Sequence, residues 1–319
     1  MPKNALVGVD IGGTKSAVVI SLEAPSVLDR IEFPTKPVQG PEPALRLIKT
    51  GIRDLLAKHR LKPARIGVSC GGPLDHIRGV IQAPPNLPTW VDVPIKAMLE
   101  SEFAVTCRVE NDANAGAVAE HRFGAGRGCR YMIFLTMGTG LGAGIIIDGL
   151  LYHGTNDFAG EIGHIRLTRS GPVGYHKAGS VEGWASGGAM PQIAARAVKA
   201  ALKRSQSTTL GELLRKGKPI TARDVALAAR KGDAVAASIL RSTGKRLGAV
   251  LAILVDILNP ERIVIGGLAM RLGDTLLGPA REVLLCEALP YSTAVCQTVP
   301  AQLGERIGDV AALCVAVGF

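Results

Sequence analysis

Apolar runs separated by glycine-rich or polar turns open the chain, and this pattern predicts short strands followed by a helix. Ala5–Ile11 and Ser16–Ile20 are apolar runs on either side of a glycine turn, and Leu28–Phe33 is a third candidate strand. Between Pro41 and His59, apolar residues recur at helical spacing, which predicts a helix with one buried face.

The same alternation continues along the chain. Ala64–Ser69 and Thr106–Glu110 are predicted strands, and Asp112 is a favoured N-terminal cap for a helix that begins there. Arg262–Gly267 is a predicted strand that ends in a glycine turn, and Glu305–Val317 is a predicted closing helix. Strands that alternate with helices are typical of the α/β class.

Two segments of the chain resemble each other. "LVGVDIGGTKSAVVI" (Leu6–Ile20) and "IFLTMGTGLGAGIII" (Ile133–Ile147) both consist of an apolar strand, a Gly/Thr turn and a second apolar strand. The repetition predicts a duplicated α/β domain with a cleft between the two copies. We expect a smaller domain over residues 1–115, completed by a closing helix at 305–319, and a larger domain over residues 116–304.

Length and composition agree with two ordinary domains. The chain has 319 residues, of which 47% are hydrophobic and 20% charged, a composition that argues against disorder. No apolar run reaches the ~18 residues of a membrane span, and the first ten residues contain no signal-peptide core. The six cysteines are scattered without a C-x-x-C pair, so we expect reduced thiols in a cytoplasmic protein.

The positive charge is concentrated in one segment. Between Arg196 and Arg246, within a helix-rich region, thirteen Lys or Arg face three Asp or Glu, while the whole chain carries +10. Solvated helix faces account for this pattern, and a surface that attracts a polyanion is the alternative. The segment has no aromatic residue to stack on bases, which argues against nucleic acid as a partner.

The two glycine turns have the composition of phosphate-binding loops. Glycines let backbone N–H groups approach phosphate oxygens, and Thr14 and Thr139 add hydroxyl donors. Neither turn matches the Walker A or the G-x-G-x-x-G pattern. Two such turns in equivalent positions, with Gly266 and Gly267 after a third strand, predict a nucleotide site.

Asp10 stands at the mouth of the first turn. Its carboxylate would repel a triphosphate in a half-buried cleft unless a cation lay between them. Mg²⁺, which binds one or two carboxylates together with phosphate oxygens, is the cation that fits. The alternative is that Asp10 caps the turn with its own side chain.

A polar cluster occupies the transition from a predicted strand to a helix in "VENDANAGAVAEH" (Val109–His121). Asn111 can both donate and accept hydrogen bonds, as a hydroxyl-bearing ligand requires. Asp112 has the chemistry to take a proton from an attacking hydroxyl in phosphoryl transfer. The alternative for Asp112 is a helix cap alone.

The motifs "VDIGGTK", "NDANAGAVAE", "TMGTGLGAG", "GEIGH" and "VEGWASG" occur here in the order seen in the ROK family of repressors, open reading frames and sugar kinases. The chain resembles the glucokinases of that family from Val9 to Gly267. The resemblance implies a two-domain, actin-like and ribonuclease-H-like ATPase fold. It also implies that ATP and a hexose meet in an interdomain active-site cleft.

The resemblance implies a role for each motif residue. Asp112 is the implied base for the 6-hydroxyl of the hexose, and Asp10 is the implied Mg²⁺ residue. The implied substrate-binding residues are Gly71, Gly72, Asn86, Asn111, Glu161, His164 and Glu182. The implied ATP-binding residues are Gly12, Gly13, Thr14, Lys15, Thr136, Gly138, Thr139, Gly140, Gly266 and Gly267.

The chain departs from the family pattern after "GEIGH". Members usually carry C-x-C-G-x-x-G-C-x-E there, whose cysteines join the histidine around a structural zinc. In "VGYHKAGSVE" the cysteine positions hold Val173, Tyr175 and Ser180, so we expect no structural zinc and ordinary hydrogen bonds orienting His164. A purely structural role for His164 is the alternative. Leu268 is a smaller departure, since a third glycine is common there.

The leading hypothesis is an ATP-dependent hexose 6-kinase with glucose as substrate. N-acetylmannosamine, N-acetylglucosamine and fructose remain open, because nothing in the sequence reports the space at the sugar's 2-position. A non-catalytic sugar-binding regulator is the alternative of another class, although only nine residues precede Asp10 where family repressors carry a helix-turn-helix. An actin-like scaffold ranks last. Polyphosphate is a second candidate donor, and the resemblance implies a homodimer.

Overall fold

The computed structural model of the protein describes residues 3–318. The chain forms two compact units. The first contains the described residues up to Arg130, together with Gly144–Gly160 and the residues from Gln302 onward; the second contains Tyr131–Ala143 and Glu161–Ala301. The domain limits expected from the sequence stay a prediction.

The strands are short, and most of them have apolar, buried interiors. In chain order they are β1 (Asn4–Ile11), β2 (Lys15–Ser21), β3 (Asp29–Pro34), β4 (Lys62–Cys70), β5 (Leu74–Asp75), β6 (Val80–Ile81), β7 (Cys107–Asn111), β8 (Met132–Met137), β9 (Leu141–Ile147), β10 (Leu150–Leu151), β11 (Val173–Gly174), β12 (Lys177–Ala178), β13 (Arg262–Ile265) and β14 (Gln297–Pro300).

The helices vary widely in length. They are α1 (Glu42–His59), α2 (Ile95–Phe103), α3 (Asp112–Phe123), α4 (Val181–Ala185), α5 (Met190–Lys203), α6 (Gly211–Arg215), α7 (Ala222–Arg230), α8 (Ala234–Leu258), α9 (Leu268–Leu272), α10 (Asp274–Glu287), α11 (Pro290–Thr293) and α12 (Ile307–Val317). The predicted strands and helices are all present, and their ends differ from the predicted ones by at most two residues.

Two five-stranded sheets share one plan. The first has the order β3-β2-β1-β4-β7, with β1 antiparallel to β2 and parallel to β4. The second has the order β10-β9-β8-β13-β14, with β13 parallel to both β8 and β14. Each of the two similar sequence segments therefore supplies the adjacent second and third strands of its sheet. This agreement confirms that the similarity of the two segments reflects a repeated architecture.

In the first unit, α1 and α12 pack on the sheet. The buried face of α1 includes Leu45, Ile48, Ile52 and Leu55, at the spacing read from the sequence, and the residue after the helix, Arg60, has a left-handed conformation. A side chain on Gly67 would lie 2.2 Å from the backbone of α12. Only glycine permits that approach, which brings α12 directly onto β4.

The second unit has its own apolar core, in which α8 and α10 pack against each other. Twelve of the thirteen basic side chains between Arg196 and Arg246 are exposed, so they are solvated as their helical spacing predicts. Arg246 is the partly buried one, and its guanidinium lies 4.7 Å from the ring centre of Trp184. None of the helices formed by residues 3–318 is both long and apolar enough to cross a bilayer.

Candidate active site

The corner between β7 and α3 presents Asn111 and Asp112. The helix begins at Asp112 as predicted, but its N-cap is Asn111, whose Oδ1 accepts hydrogen bonds from the N–H groups of Ala113 (2.9 Å) and Asn114 (3.3 Å). Asn111 is the residue with extended backbone angles, which the cap position requires, so the expectation that Asp112 caps the helix is wrong. Asn111, and not Asp112, therefore supplies the side-chain cap of α3.

The amide oxygen of Asn111 is used by the helix N-terminus, so the amide nitrogen is the part of that side chain that remains as a donor for a ligand. A methyl group on Gly72 would lie 2.9 Å from Asn111 Nδ2. A methyl group on Gly71 would lie 3.9 Å from Asp112 Oδ2. The structure thus brings together four of the predicted residues, since Gly71 and Gly72 lie beside the side chains of Asp112 and Asn111.

Asp112 combines surface accessibility with weak hydration. The residue is exposed, yet it is surrounded by enough protein that the loss of hydration raises its pKa, against the opposing effect of the backbone N–H groups of Asp112 and Ala113. A carboxylate with a raised pKa is a stronger proton acceptor once it is ionised.

Asp10 lies near the end of β1 in the same unit. Burial raises its pKa to about 7, with further contributions from the negative charges of Asp112 and Asp309 that Arg30 and Lys15 only partly offset. No group among residues 3–318 donates a hydrogen bond to this carboxylate. The turn-cap alternative for Asp10 is therefore wrong.

These features of Asp10 fit a divalent cation. A carboxylate with reduced hydration, neighbouring acids and no hydrogen-bond donor has the properties of an oxygen ligand that Mg²⁺ can bind. No cluster of three or more His, Cys, Asp or Glu that could hold a metal occurs within residues 3–318. Magnesium does not need such a cluster, since one or two carboxylates and phosphate oxygens suffice. The expectation that the chain lacks structural zinc stays a prediction.

The sequence did not identify Gly308 and Asp309 as neighbours of Asp10. Asp309, in α12, is 8% exposed, and both its oxygens accept from Arg30 Nε, at 3.1 and 3.0 Å. A methyl group on Gly308 would lie 2.3 Å from Asp10 Oδ2, which places the start of α12 directly beside Asp10. The signal that could have identified Asp309 in the sequence is that it is the one charged residue in an otherwise apolar helix.

The first glycine turn is a closed hairpin. Gly12 N donates to Lys15 O at 3.0 Å, and Thr35 Oγ1 donates to Gly12 O at 2.6 Å. Thr14 is exposed at the tip, and Lys15 Nζ pairs with Glu32 at 2.9 Å.

Asn86 is the neighbour of this hairpin turn. A methyl group on Gly13 would lie 2.6 Å from Asn86 Cβ, so the predicted sugar-side and phosphate-side residues of this unit are adjacent.

The second glycine turn, in the other unit, joins β8 to β9. Gly138 N donates to Gly140 O at 3.0 Å. The carbonyls of Gly138 and Thr139 accept from the N–H groups of Gly187 (2.8 Å) and Gly188 (3.0 Å), and both turn residues are exposed. The strand residue Thr136 is partly buried just before the turn.

Gly266 and Gly267 lie against this second turn. Gly267 has φ +65°, and a side chain there would lie 2.3 Å from Met137 O. Glycine is therefore required both for the backbone angle and for the close approach. The contact places the glycine pair that follows β13 next to the residue preceding Gly138.

Glu161, His164 and Glu182 gather near the start of β9. Glu182 Oε2 accepts from Leu141 N at 3.2 Å. Between Glu161 and His164, a side chain on Gly163 would lie 2.1 Å from Leu141 O and 3.5 Å from Glu182 Cβ. All three predicted residues thus lie within the second unit beside the glycine turn.

The residues at the expected cysteine positions have other functions. Ser180 Oγ donates to Gly174 O (3.3 Å) and accepts from Gly183 N (3.1 Å), so it caps α4, the helix that carries Glu182. The ring of Tyr175 meets that of His164 edge-on at 6.0 Å. Within residues 3–318, His164 makes hydrogen bonds only through its backbone N–H and C=O, so the expectation that hydrogen bonds orient its ring is not met by any of these residues.

Comparison with known proteins adds to this geometry. The ROK family model matches residues 6–316. The chain belongs to the ROK family. Glucokinases from Halalkalibacterium halodurans and Thermotoga maritima are 38% and 31% identical to it over 313 residues, covering 95% and 98% of this chain and 92% and 97% of theirs.

A solved structure extends the similarity to the fold. A ROK family glucokinase from Streptomyces griseus, in complex with glucose and AMPPNP, matches with a TM-score of 0.81 at 33% identity, covering 98% of this chain and 99% of that one. The predicted α/β, actin-like ATPase fold is thereby confirmed.

Proposed function

We propose that the protein is an ATP-dependent hexose kinase that phosphorylates the 6-hydroxyl of glucose. The observation that carries this proposal is the pair of aspartates in the first unit. Asp10 has no hydrogen-bond donor and a pKa near 7, raised by burial and in part by the charge of Asp112, while Asp112 stands exposed at a helix start. A cation-binding acid close to a proton-accepting acid is what phosphoryl transfer to an alcohol requires.

Asp10 would hold Mg²⁺, which when bound supplies positive charge to the phosphate oxygens of ATP. The glycine turns around Gly13 and Thr139 would provide the backbone contacts to those phosphates. Both tips are suited to this because they are at least partly exposed and contain little side-chain bulk.

Asp112 would serve as the base. As the 6-oxygen of the sugar forms its bond to the γ-phosphorus, the bond from that phosphorus to the bridging oxygen of ADP breaks and the hydroxyl proton passes to Asp112. The raised pKa of Asp112 favours this transfer, and Asn111 Nδ2 would donate a hydrogen bond to a neighbouring sugar hydroxyl. Most of the rate enhancement would come from positioning and charge neutralisation.

Glucose is the preferred sugar in this proposal because the relatives at 31–38% identity are named glucokinases. Glu161, His164 and Glu182 would bind the end of the sugar nearest C1. The test is a panel of glucose, fructose, N-acetylglucosamine and N-acetylmannosamine with ATP and Mg²⁺, reporting kcat/KM for each. Glucose should rank first, and product should be hexose 6-phosphate by mass spectrometry.

The panel also tests the alternative class. If glucose binds by calorimetry but none of the sugars gives product, the protein is a sugar-binding regulator and the kinase proposal is wrong.

Polyphosphate is a second proposed donor, supported by the exposed basic side chains between Arg196 and Arg246. Rates with ATP and with polyphosphate at low and raised salt test it, because binding of a polyanion to solvated charges weakens with salt. Activity with ATP alone at every ionic strength would remove it. The homodimer implied by the family resemblance is proposed on that ground alone, and light scattering tests it.

A further inference from the structure

A buried carboxylate lies directly behind the proposed catalytic corner. Glu110, the residue before Asn111, is 1% exposed. Its Oε1 accepts from the backbone N–H of Asn111 at 2.9 Å and from Asn114 Nδ2 at 3.0 Å. One carboxylate oxygen thus holds both the last residue of β7 and the first turn of α3.

The other oxygen of Glu110 is paired with a histidine from a distant part of the chain. His153 Nε2 lies 2.8 Å from Glu110 Oε2, in the segment that follows β10. The hydrogen bond with Glu110 raises the pKa of His153, and the charge of Asp157 adds to this effect against the opposing effect of burial. A protonated His153 supplies the charge that a buried carboxylate needs.

His153 is itself held by a second histidine. The rings of His76 and His153 stack at 4.2 Å with an interplanar angle of 10°. His76 Nδ1 lies 2.7 Å from Asp157 Oδ1, and His76 N donates to Asp157 Oδ2 at 3.1 Å. The acidic groups that face the two rings are therefore Glu110 and Asp157, one at each end of the stack.

We propose that His153 and Glu110 are positioning residues for phosphoryl transfer. Their contact places the two Glu110 oxygens so that one faces His153 and the other accepts from Asn111 N and Asn114 Nδ2, which holds the strand-to-helix corner that presents Asn111 and Asp112. This inference rests on the proposed kinase function, and it adds residues that make no contact with the sugar or the nucleotide.

The test replaces His153 by Gln, which removes the charge, and by Lys, which retains it. His121→Gln is the matched control, because His121 lies in the same unit and hydrogen-bonds to Cys129 O at 2.7 Å, outside this network. We expect His153→Gln to lower kcat about 10- to 100-fold, since small misplacement of a reacting group costs up to about 100-fold. The KM for ATP should change less than about threefold, and His153→Lys should restore kcat to within about threefold of wild type.

The pH profile separates positioning from a merely structural role. Wild-type kcat should fall on the alkaline side as His153 loses its proton, at a pH above the ordinary histidine value of about 6.5. His153→Lys should lack that alkaline fall, because lysine stays charged. A His153→Gln enzyme with kcat within twofold of wild type, or a His153→Lys enzyme with an unchanged alkaline limb, would overturn the proposal.

Hydrogen exchange provides a readout without turnover. His153→Gln should speed exchange of the backbone N–H groups of residues 111–114 relative to His121→Gln, and equal exchange in the two variants would contradict the inference. If wild-type protein phosphorylates no sugar, the kinase proposal fails, while exchange still decides whether His153 holds the corner. A low melting temperature in His153→Gln with normal kcat would identify a structural role only and would also overturn the proposal.

Discussion

Replacing Asp10 by Asn should make the ligand-free protein more stable at neutral and alkaline pH. The substitution keeps the shape of the side chain and removes a charge whose ionisation the folded protein disfavours. The pKa of Asp10 is raised from 3.8 to about 7, first by burial and then by the charges of Asp112 and Asp309. Between these two values the folded protein holds a proton that the unfolded chain has released, so stability falls as pH rises through this window.

The size of the effect follows from the shift. Each pKa unit corresponds to 1.36 kcal/mol, so about three units set a ceiling of about 4 kcal/mol above pH 7. Because Asp10 is only partly buried by its surface area, screening by solvent reduces the gain to about 1–3 kcal/mol. At pH 5 the same linkage relation gives a stability gain of about two fifths of the gain at pH 8.

The assay is thermal unfolding of wild type and Asp10→Asn at pH 5 and pH 8, without nucleotide or divalent cation. Asp54→Asn, at an exposed position in α1, is the matched control. We expect the melting temperature of Asp10→Asn to exceed that of wild type by about 2–6 °C at pH 8, using about 2 °C per kcal/mol for a chain of this size. The difference should be smaller at pH 5, and Asp54→Asn should show neither effect.

Magnesium and ADP should reverse the order at pH 8. They should raise the melting temperature of wild type more than that of Asp10→Asn, since a ligand stabilises the state that binds it. The reasoning is refuted if Asp10→Asn is no more stable than wild type at pH 8, or if its advantage does not change between pH 5 and pH 8.

Three further substitutions test other parts of the structure. Asp112→Asn should lower kcat by about 10²–10⁴-fold while glucose binding by calorimetry persists, because a base acts mainly in the transition state; comparable kcat values would exclude Asp112 as the base. Glu120 is a fully buried carboxylate that accepts from the N–H groups of Gln302 (3.2 Å) and Leu303 (2.8 Å). Glu120→Ala should lower the free energy of unfolding, measured by denaturant titration, by about 3–5 kcal/mol, and Glu120→Gln should lower it less. Ser180→Ala removes the cap of α4 and should lower the free energy of unfolding by about 1 kcal/mol. It should also raise the KM for sugar more than the KM for ATP, and an unchanged KM for sugar would show that this cap does not support sugar binding.

The local sequence pattern was sufficient to predict the strands, the helices and the glycine-rich motifs. The apolar runs at Ala5–Ile11 and Ser16–Ile20 and the helical spacing of α1 correspond to what the structure forms, because strand pleat and helical turn are short-range periodicities. The similarity of the two glycine hairpins was visible in the amino-acid sequence, and in the structure it corresponds to two five-stranded sheets with equivalent strand order.

The tertiary structure decided how the site residues are held. Arg30 and Asp309 lie 279 positions apart in sequence, and Glu110 and His153 lie 43 apart, so no local pattern pairs them. The choice of Asn111 over Asp112 as cap also depended on backbone angles at the end of β7, where both residue types are acceptable caps. The sequence by itself determined which elements form and which chemical groups are present, because these depend on neighbouring residues. Which carboxylates are neutralised, and which, like Asp10, are left without a donor, was decided only by contacts between distant segments.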